Sequence, residues 1–209
     1  MSARSPSRGN ARPTYSCPSG PDPSAHSRGA DLKPNLAIPF LSLTLAAAAP
    51  TVAALTREGQ WEPGQWPAFQ AMLNRPAPKL ELSRWALGKI TRAEKKHRIV
   101  VVDFWATWCG PCIQAIPHNN RILASYRDRG VLLFGACTGG REESMEAVAR
   151  AAGAAYPTAV AGPATAAGWH LKFFPTYAVI DRRGVLRSIG IQPDYLPKIL
   201  DALLAEQPG

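Results

Sequence analysis

The sequence predicts an α/β domain, a central mixed β-sheet with helices on both faces, behind a long N-terminal stretch of different character. Three observations carry that prediction. Apolar runs of strand length at 98–105 and 131–137 flank a helical period over about 110–127, a strand–helix–strand opening. Two more short apolar runs, at 175–181 and 184–190, are joined by the turn sequence "DRRG" at 181–184. A closing amphipathic segment at 193–206 supplies a helix for one face, and a sheet of this kind must be covered on both.

The chain has 209 residues, room for one ordinary domain with appendages. Residues 1–35 are rich in Ser, Pro, Arg and Gly and show no apolar period. Such a segment buries too little surface to offset its ordering entropy and is expected to be disordered. Residues 36–55, "LAIPFLSLTLAAAAPTVAAL", carry no charge and approach the length of a bilayer span, about 20 residues. They are expected to be a signal peptide or a membrane anchor. Leu36–Ala49 suits a signal-peptide core, Arg28 and Lys33 precede it, and both Ala47-Ala48-Ala49 and Val52-Ala53-Ala54 offer small-residue cleavage sites. Pro39 and Pro50 make a weak membrane helix. The 35 residues ahead of the run exceed a usual leader, which points to a start downstream of Met1 or to a Ser/Arg-rich organellar transit peptide.

Residues 56–74, punctuated by Pro63, Gly64 and Pro67, read as a linker with one short helix at 67–73. The domain then occupies 75–209, with a first strand near 79–83 and a further helix at 141–152 beside the elements already named. The hydrophobic fraction of 46% and charged fraction of 19% suit a packed core. The net charge of +9 is spread along the chain, and its densest cluster, "TRAEKKHR" at 91–98, lacks interleaved aromatics. That cluster reads as a solvated face, with no nucleic-acid partner implied.

The chemistry gathers at "IVVVDFWATWCGPC", residues 99–112. A disulfide between Cys109 and Cys112 would be a poor staple, since closing a four-residue loop contributes only about 2 kcal/mol. A zinc site needs four ligands, and His97, His118, His170 and Cys137 show no ligand spacing. Redox exchange fits better. Cys109 falls where a buried strand gives way to a helix, so its sulfur faces unpaired N–H groups and the positive end of the helix, which favours the nucleophilic thiolate. Cys112 lies three positions on, on the same helix face, with Gly110 allowing close approach and Pro111 suited to a first turn. Asp103, six residues upstream in an otherwise apolar strand, would have a raised pKa and could exchange a proton with the buried thiol.

Trp108-Cys109-Gly110-Pro111-Cys112 between a strand and a helix resembles the active-site segment of the thioredoxin superfamily. "VDFWATWCGPC" and the lead-in "RPAPKLEL" (75–82) resemble its exported TlpA/ResA-like branch. Pro117 is similar to the family's helix-kinking proline, and "FFPTYAVIDRRGVL" (173–186) to the segment in which a cis-proline opens a strand. The resemblance implies a thioredoxin fold over residues 75–207 and a redox-active disulfide between Cys109 and Cys112. Cys109 would then attack, Cys112 resolve and Asp103 relay protons. It further implies a cis Pro175, with the backbone of Phe174 offered for strand-like pairing to substrate and Trp108 as a substrate-facing wall. The lysine that neighbours the buried acid in thioredoxins has no counterpart in "VLLFGACTGG". Cys137 reads as a small buried hydrophobe, and Cys17 falls in the segment expected to be disordered.

The reading is therefore an exported thiol–disulfide oxidoreductase with no cofactor and no metal. It is expected to be a monomer that reduces disulfides of extracytoplasmic proteins, cytochrome c maturation among its possible settings, and to be recharged by a membrane thiol–disulfide donor. Membrane contact is expected only through residues 36–55, if uncleaved. Two alternatives are a non-catalytic metal or redox-partner binding module and a peroxiredoxin-like peroxidase. The latter would need a P-x-x-x-T-x-x-C segment ahead of its nucleophile, where this chain has Phe104-Trp105-Ala106-Thr107-Trp108 before Cys109.

Overall fold

The run Ile99–Trp105 is buried at every position, which only a strand with neighbours on both sides and layers on both faces permits. It forms strand β2 at the centre of the sheet, in a computed structural model that describes residues 49–206. The disordered extension expected at 1–35 and most of the apolar run lie outside the described residues. The strands are β1 (Leu82–Ala86), β2 (Ile99–Trp105), β3 (Val131–Cys137), β4 (Thr158–Ala161), β5 (Thr176–Ile180) and β6 (Leu186–Ile191). The helices are α1 (Val52–Glu58), α2 (Trp66–Met72), α3 (Arg92–Lys95), α4 (Gly110–Tyr126), α5 (Met145–Ala151), α6 (Pro163–Gly168) and α7 (Leu196–Ala205).

The sheet order is β1-β4-β3-β2-β5-β6. Strand β2 runs parallel to β3 and antiparallel to β5, β3 runs parallel to β4, and β1 and β6 close the edges in antiparallel pairs. Alternation along β2 sends Ile99 and Val101 into a core built with Ile116 and Ile122 of α4, Ile199 of α7 and Leu55 of α1. Val100, Val102 and Phe104 enter a second core, with Phe69 of α2 and Trp169. By the same parity Asp103 points under α4, the helix that begins at the cysteine pair. The hairpin turn is held by its own aspartate, whose Oδ1 accepts from the backbone N–H groups of Arg183 and Val185 at 2.9 and 3.0 Å.

The short helix expected at 67–73 is α2, but the segment before residue 75 is not a free linker: it also contains the end of α1, and Phe69 is fully enclosed. Val52 and Leu55, the tail of the apolar run, also enter the first core. Thr51 caps α1, its hydroxyl accepting from the N–H of Ala54 at 3.2 Å. The prolines and glycine that suggested a linker instead mark helix starts and a turn, while the aromatics between them supply the burial. Gly190 of β6, at φ 77°, makes room for the Phe69 ring, which a Cβ there would strike. Phe69→Ala is therefore expected to lower stability by about 3–5 kcal/mol in a urea titration, the cost of emptying an aromatic site. A linker residue would change it by less than about 0.5 kcal/mol.

The first strand lies at Leu82–Ala86 rather than 79–83, and the helix expected at 141–152 is α-helical only over Met145–Ala151, after a 3₁₀ turn at Glu142–Ser144. Among the described residues no helix is long and apolar enough to cross a membrane.

Candidate active site

Strand β2 ends at Trp105, a tight turn follows, and Cys109 becomes the N-cap of the 17-residue helix α4. Its backbone N–H donates to the Ala106 carbonyl at 3.0 Å, closing the turn. Its sulfur accepts from the Cys112 N–H at 3.2 Å, one of the donors that a helix start leaves without an intrahelical partner. Cys109 and Cys112 are joined as a disulfide, with Cα atoms 5.3 Å apart. Both are shielded, at 4% and 1% exposure, while the adjoining Trp108 is 54% exposed. Gly110 is also exposed, and nothing lies within 4 Å of where its Cβ would be. No neighbour in the chain requires a glycine there, so the open space faces outward.

The other side of the disulfide is formed by the loop before β5. The Phe174–Pro175 peptide bond is cis. The Phe174 ring meets Trp108 edge-on, with centroids 6.0 Å apart, and Trp108 Nε1 donates to the Gly139 carbonyl at 2.9 Å. Gly139 has φ 94° and passes beneath Phe174, where a Cβ would approach Cε2 to 2.9 Å. Trp108 is thus fixed at one end and open on its face, which suits a wall against a docking chain. Trp105 is different: it is buried and its Nε1 donates to Thr158 Oγ1 at 3.0 Å, a packing role.

Asp103 is 2% exposed. Its Oδ2 accepts from Asn119 Nδ2 at 2.9 Å and from the Tyr156 hydroxyl at 3.3 Å, and Tyr177 donates its hydroxyl to Asn119 Oδ1 at 3.0 Å. Oδ1 is buried without a protein partner. Burial pushes the Asp103 carboxyl up to about 7, with the hydrogen bonds from Tyr156 and Asn119 pulling the other way. Burial, then the nearby Asp103 charge, raises both tyrosines, so they remain phenols, Tyr156 donating to the carboxylate and Tyr177 to Asn119. Among the described residues no cation takes part. Neutral donors hold the charged form, in keeping with the missing lysine.

Asn119 was not legible as a site residue, yet it lies seven positions beyond Cys112 on one buried stripe of α4, with Cys112, Ile116, Asn119, Ile122 and Tyr126 inward. That spacing is the one local signal available. Tyr156 gives none, since it reaches the site from the loop before β4. Tyr156→Phe removes a donor to the charged carboxyl, so Asp103 should titrate above about 7 in NMR-monitored pH titrations, at a stability cost of about 1 kcal/mol. An unmoved titration would show that the 3.3 Å contact does not hold the carboxylate.

Cys137, paired in register with Trp105 on β3, is fully buried, and burial with the nearby Glu142 pushes its thiol up to about 12. It lies in the same cluster as the disulfide but lacks thiolate character. Among the described residues no three His, Cys, Asp or Glu side chains are grouped to hold a metal ion.

The profile of the AhpC/TSA family matches residues 73–189, more than half of the sequence. The chain belongs to the AhpC/TSA family. It is 26% identical over 117 residues to the thioredoxin-like protein YneN of Bacillus subtilis, covering 55% of this chain and 69% of that one. To the thiol-disulfide oxidoreductase ResA of Bacillus anthracis it is 26% identical over 135 residues, 61% of this chain and 78% of the relative. Among solved structures it superposes on a protein described as the thiol:disulfide interchange protein DsbE of Chlorobium tepidum, with TM-score 0.56 and 26% identity over 64% of this chain and 98% of that one. A thiol-disulfide isomerase of Corynebacterium glutamicum, at TM-score 0.58 and 20% identity, shares the fold. The fold is thus thioredoxin-like, as its sequence implied, and the class its relatives are named for, thiol–disulfide oxidoreductase, is the chemistry for which a shielded dithiol at a helix N-terminus is suited.

Proposed function

We propose that this protein reduces disulfide bonds in proteins outside the cytoplasm. The observation that carries the reading is the Cys109–Cys112 pair at the start of α4, with an exposed aromatic wall beside it and a buried carboxyl on the strand that leads into it. In the reduced form the Cys109 thiolate attacks one sulfur of a substrate disulfide. A mixed disulfide forms and the substrate's other sulfur leaves as a thiolate, which takes up a proton. Asp103, as carboxylate, accepts the Cys112 proton, through a water if needed, and Cys112 then attacks Cys109 Sγ. The second substrate sulfur departs as a thiolate and is protonated in turn, Asp103 gives up the proton it took from Cys112, and the Cys109–Cys112 disulfide remains. Two electrons and two protons have moved, and a dithiol donor must return them before the next cycle.

The backbone of Phe174, beside the cis peptide, is the edge on which an extended substrate segment would pair, with Trp108 covering its flank. Reduction is favoured over oxidation because the Gly-Pro dipeptide between the cysteines matches the reducing members of the superfamily. A peroxidase is disfavoured by Val102 and Ala106, which stand where its proline and threonine would be. Cytochrome c maturation is one setting for such a reductant.

Export rests on the apolar run. Because Val52 and Leu55 belong to the folded core, cleavage at Ala47-Ala48-Ala49 would leave α1 whole, whereas cleavage at Val52-Ala53-Ala54 would divide it. The segment is read as retained or cut at the first of these. A reporter fused after residue 60 should be active outside the cytosol. The redox reading is tested separately. Protein reduced with dithiothreitol and freed of it should transfer one dithiol equivalent to insulin, and no transfer would contradict the reading.

A further inference from the structure

The basic segment 91–98, which the redox chemistry does not use, lines a cleft at the end of the sheet opposite the dithiol. Arg92, Lys95, Lys96 and His97 form one wall, and Arg182 and Arg183 of the β5–β6 hairpin form the other, around a space of about 920 Å³. Its floor is apolar, with Leu80, Val100 and Ile180. The acids there are already engaged. Asp181 is paired with Arg183 and Arg187, and Glu94 accepts from the backbone and hydroxyl of its own cap residue, Thr91. Among the described residues Arg92, Lys95, Lys96 and Arg182 have no ion-pair partner, and Lys95 is half-buried beside Arg92. Uncompensated cations crowded around a partly apolar hollow invite an anion with an apolar body.

We propose that this cleft and its rim are a membrane-docking surface for the anionic headgroups of a phospholipid bilayer, which turns the dithiol away from the membrane. Topology supports that occupant over a small soluble anion. Strand β2 carries the chain from His97, at the cleft, to the turn before Cys109, so its seven residues separate the two by about 20 Å. Helix α1 ends beside the top of β6, where the Gly59 carbonyl accepts from Gln192 N–H and Glu58 accepts from the Tyr195 hydroxyl. That helix packs on the face of the sheet opposite the cleft floor, with Leu55 beside Ile99 and Val101, and an apolar run precedes it in sequence. The surface does not depend on which sulfur attacks first.

The test uses the full chain and sedimentation with vesicles of phosphatidylcholine alone or mixed with phosphatidylglycerol. Each cation near an anionic surface contributes about fivefold to partitioning, so Lys95→Gln with Lys96→Gln should lower binding to the mixed vesicles about 25-fold. Arg182→Gln, on the facing wall, should lower it about fivefold and guards against a local folding defect in the double variant. Binding to phosphatidylcholine alone and insulin reduction should be unchanged. Wild-type binding by both variants, or equal losses on the two vesicle types, would overturn the proposal. So would release from mixed vesicles by millimolar inorganic phosphate at constant ionic strength, which would mark a free-anion site.

Discussion

Cys109→Ser is expected to reduce insulin turnover to the uncatalysed background, while Cys112→Ser keeps the first attack and stalls at the mixed disulfide. The inequality follows from the fold rather than from the cysteines themselves. Cys109 is the N-cap of α4, its sulfur already accepting the N–H of Cys112, and its neighbours Gly110 and Trp108 are exposed. Cys112 is one turn into the helix, facing the core with Ile116 and Asn119. An incoming disulfide reaches only the first, and helix N–H groups stabilise the charge that makes sulfur a nucleophile. Gel-shift detection of the mixed disulfide in the Cys112→Ser variant checks the division of roles. No mixed disulfide in the Cys112→Ser variant, or an equal yield of one in Cys109→Ser, would contradict it.

Asp103→Asn should stabilise the protein and slow it. Unfolded, an aspartate loses its proton near pH 4; in the folded protein burial holds Asp103 up to about 7. Between those values the native state binds the proton and the unfolded chain does not, so stability falls as pH rises through this window, and the penalty is complete above it. Asparagine removes the titration. The variant should gain about 1–3 kcal/mol at pH 8, on the scale of buried polar penalties, and nothing at pH 4. Its disulfide reduction should fall by about 10²–10⁴, the usual worth of positioned proton transfer. Denaturant titrations at the two pH values, with insulin-reduction rates, measure both. A gain independent of pH would show that the carboxyl is not charged at neutral pH, and an unchanged rate would route the proton elsewhere.

The sequence made the centre of the sheet and the dithiol legible because both are local. A seven-residue apolar run has one solution when buried on both sides, and a cysteine pair at its helical exit has one orientation. Asp103 stood out as the charge within that run. Its partners did not, because Tyr156 and Tyr177 come from distant segments and resemble ordinary core aromatics until the network joins them. Strand β4 is four residues, "TAVA", too short and too alanine-rich to distinguish from coil. Helix α1 was hidden for another reason. Its residues complete an apolar run whose composition reads as export signal, and only their contacts with β6 and α7 assign them to the core. Proline and glycine signals at 56–74 gave a linker with one short helix; the helix is there, but the burial of Phe69 that joins it to the core left no local signal.

The central claim is that this fold makes two neighbouring thiols chemically unequal. Iodoacetamide alkylation of the reduced protein between pH 5 and 10, mapped by mass spectrometry, measures it directly. Cys109 should react with a midpoint near pH 7 or below, against about 8.5 for an ordinary cysteine, and Cys112 with a distinctly higher one. Matching midpoints, or a lower one at Cys112, would contradict the account.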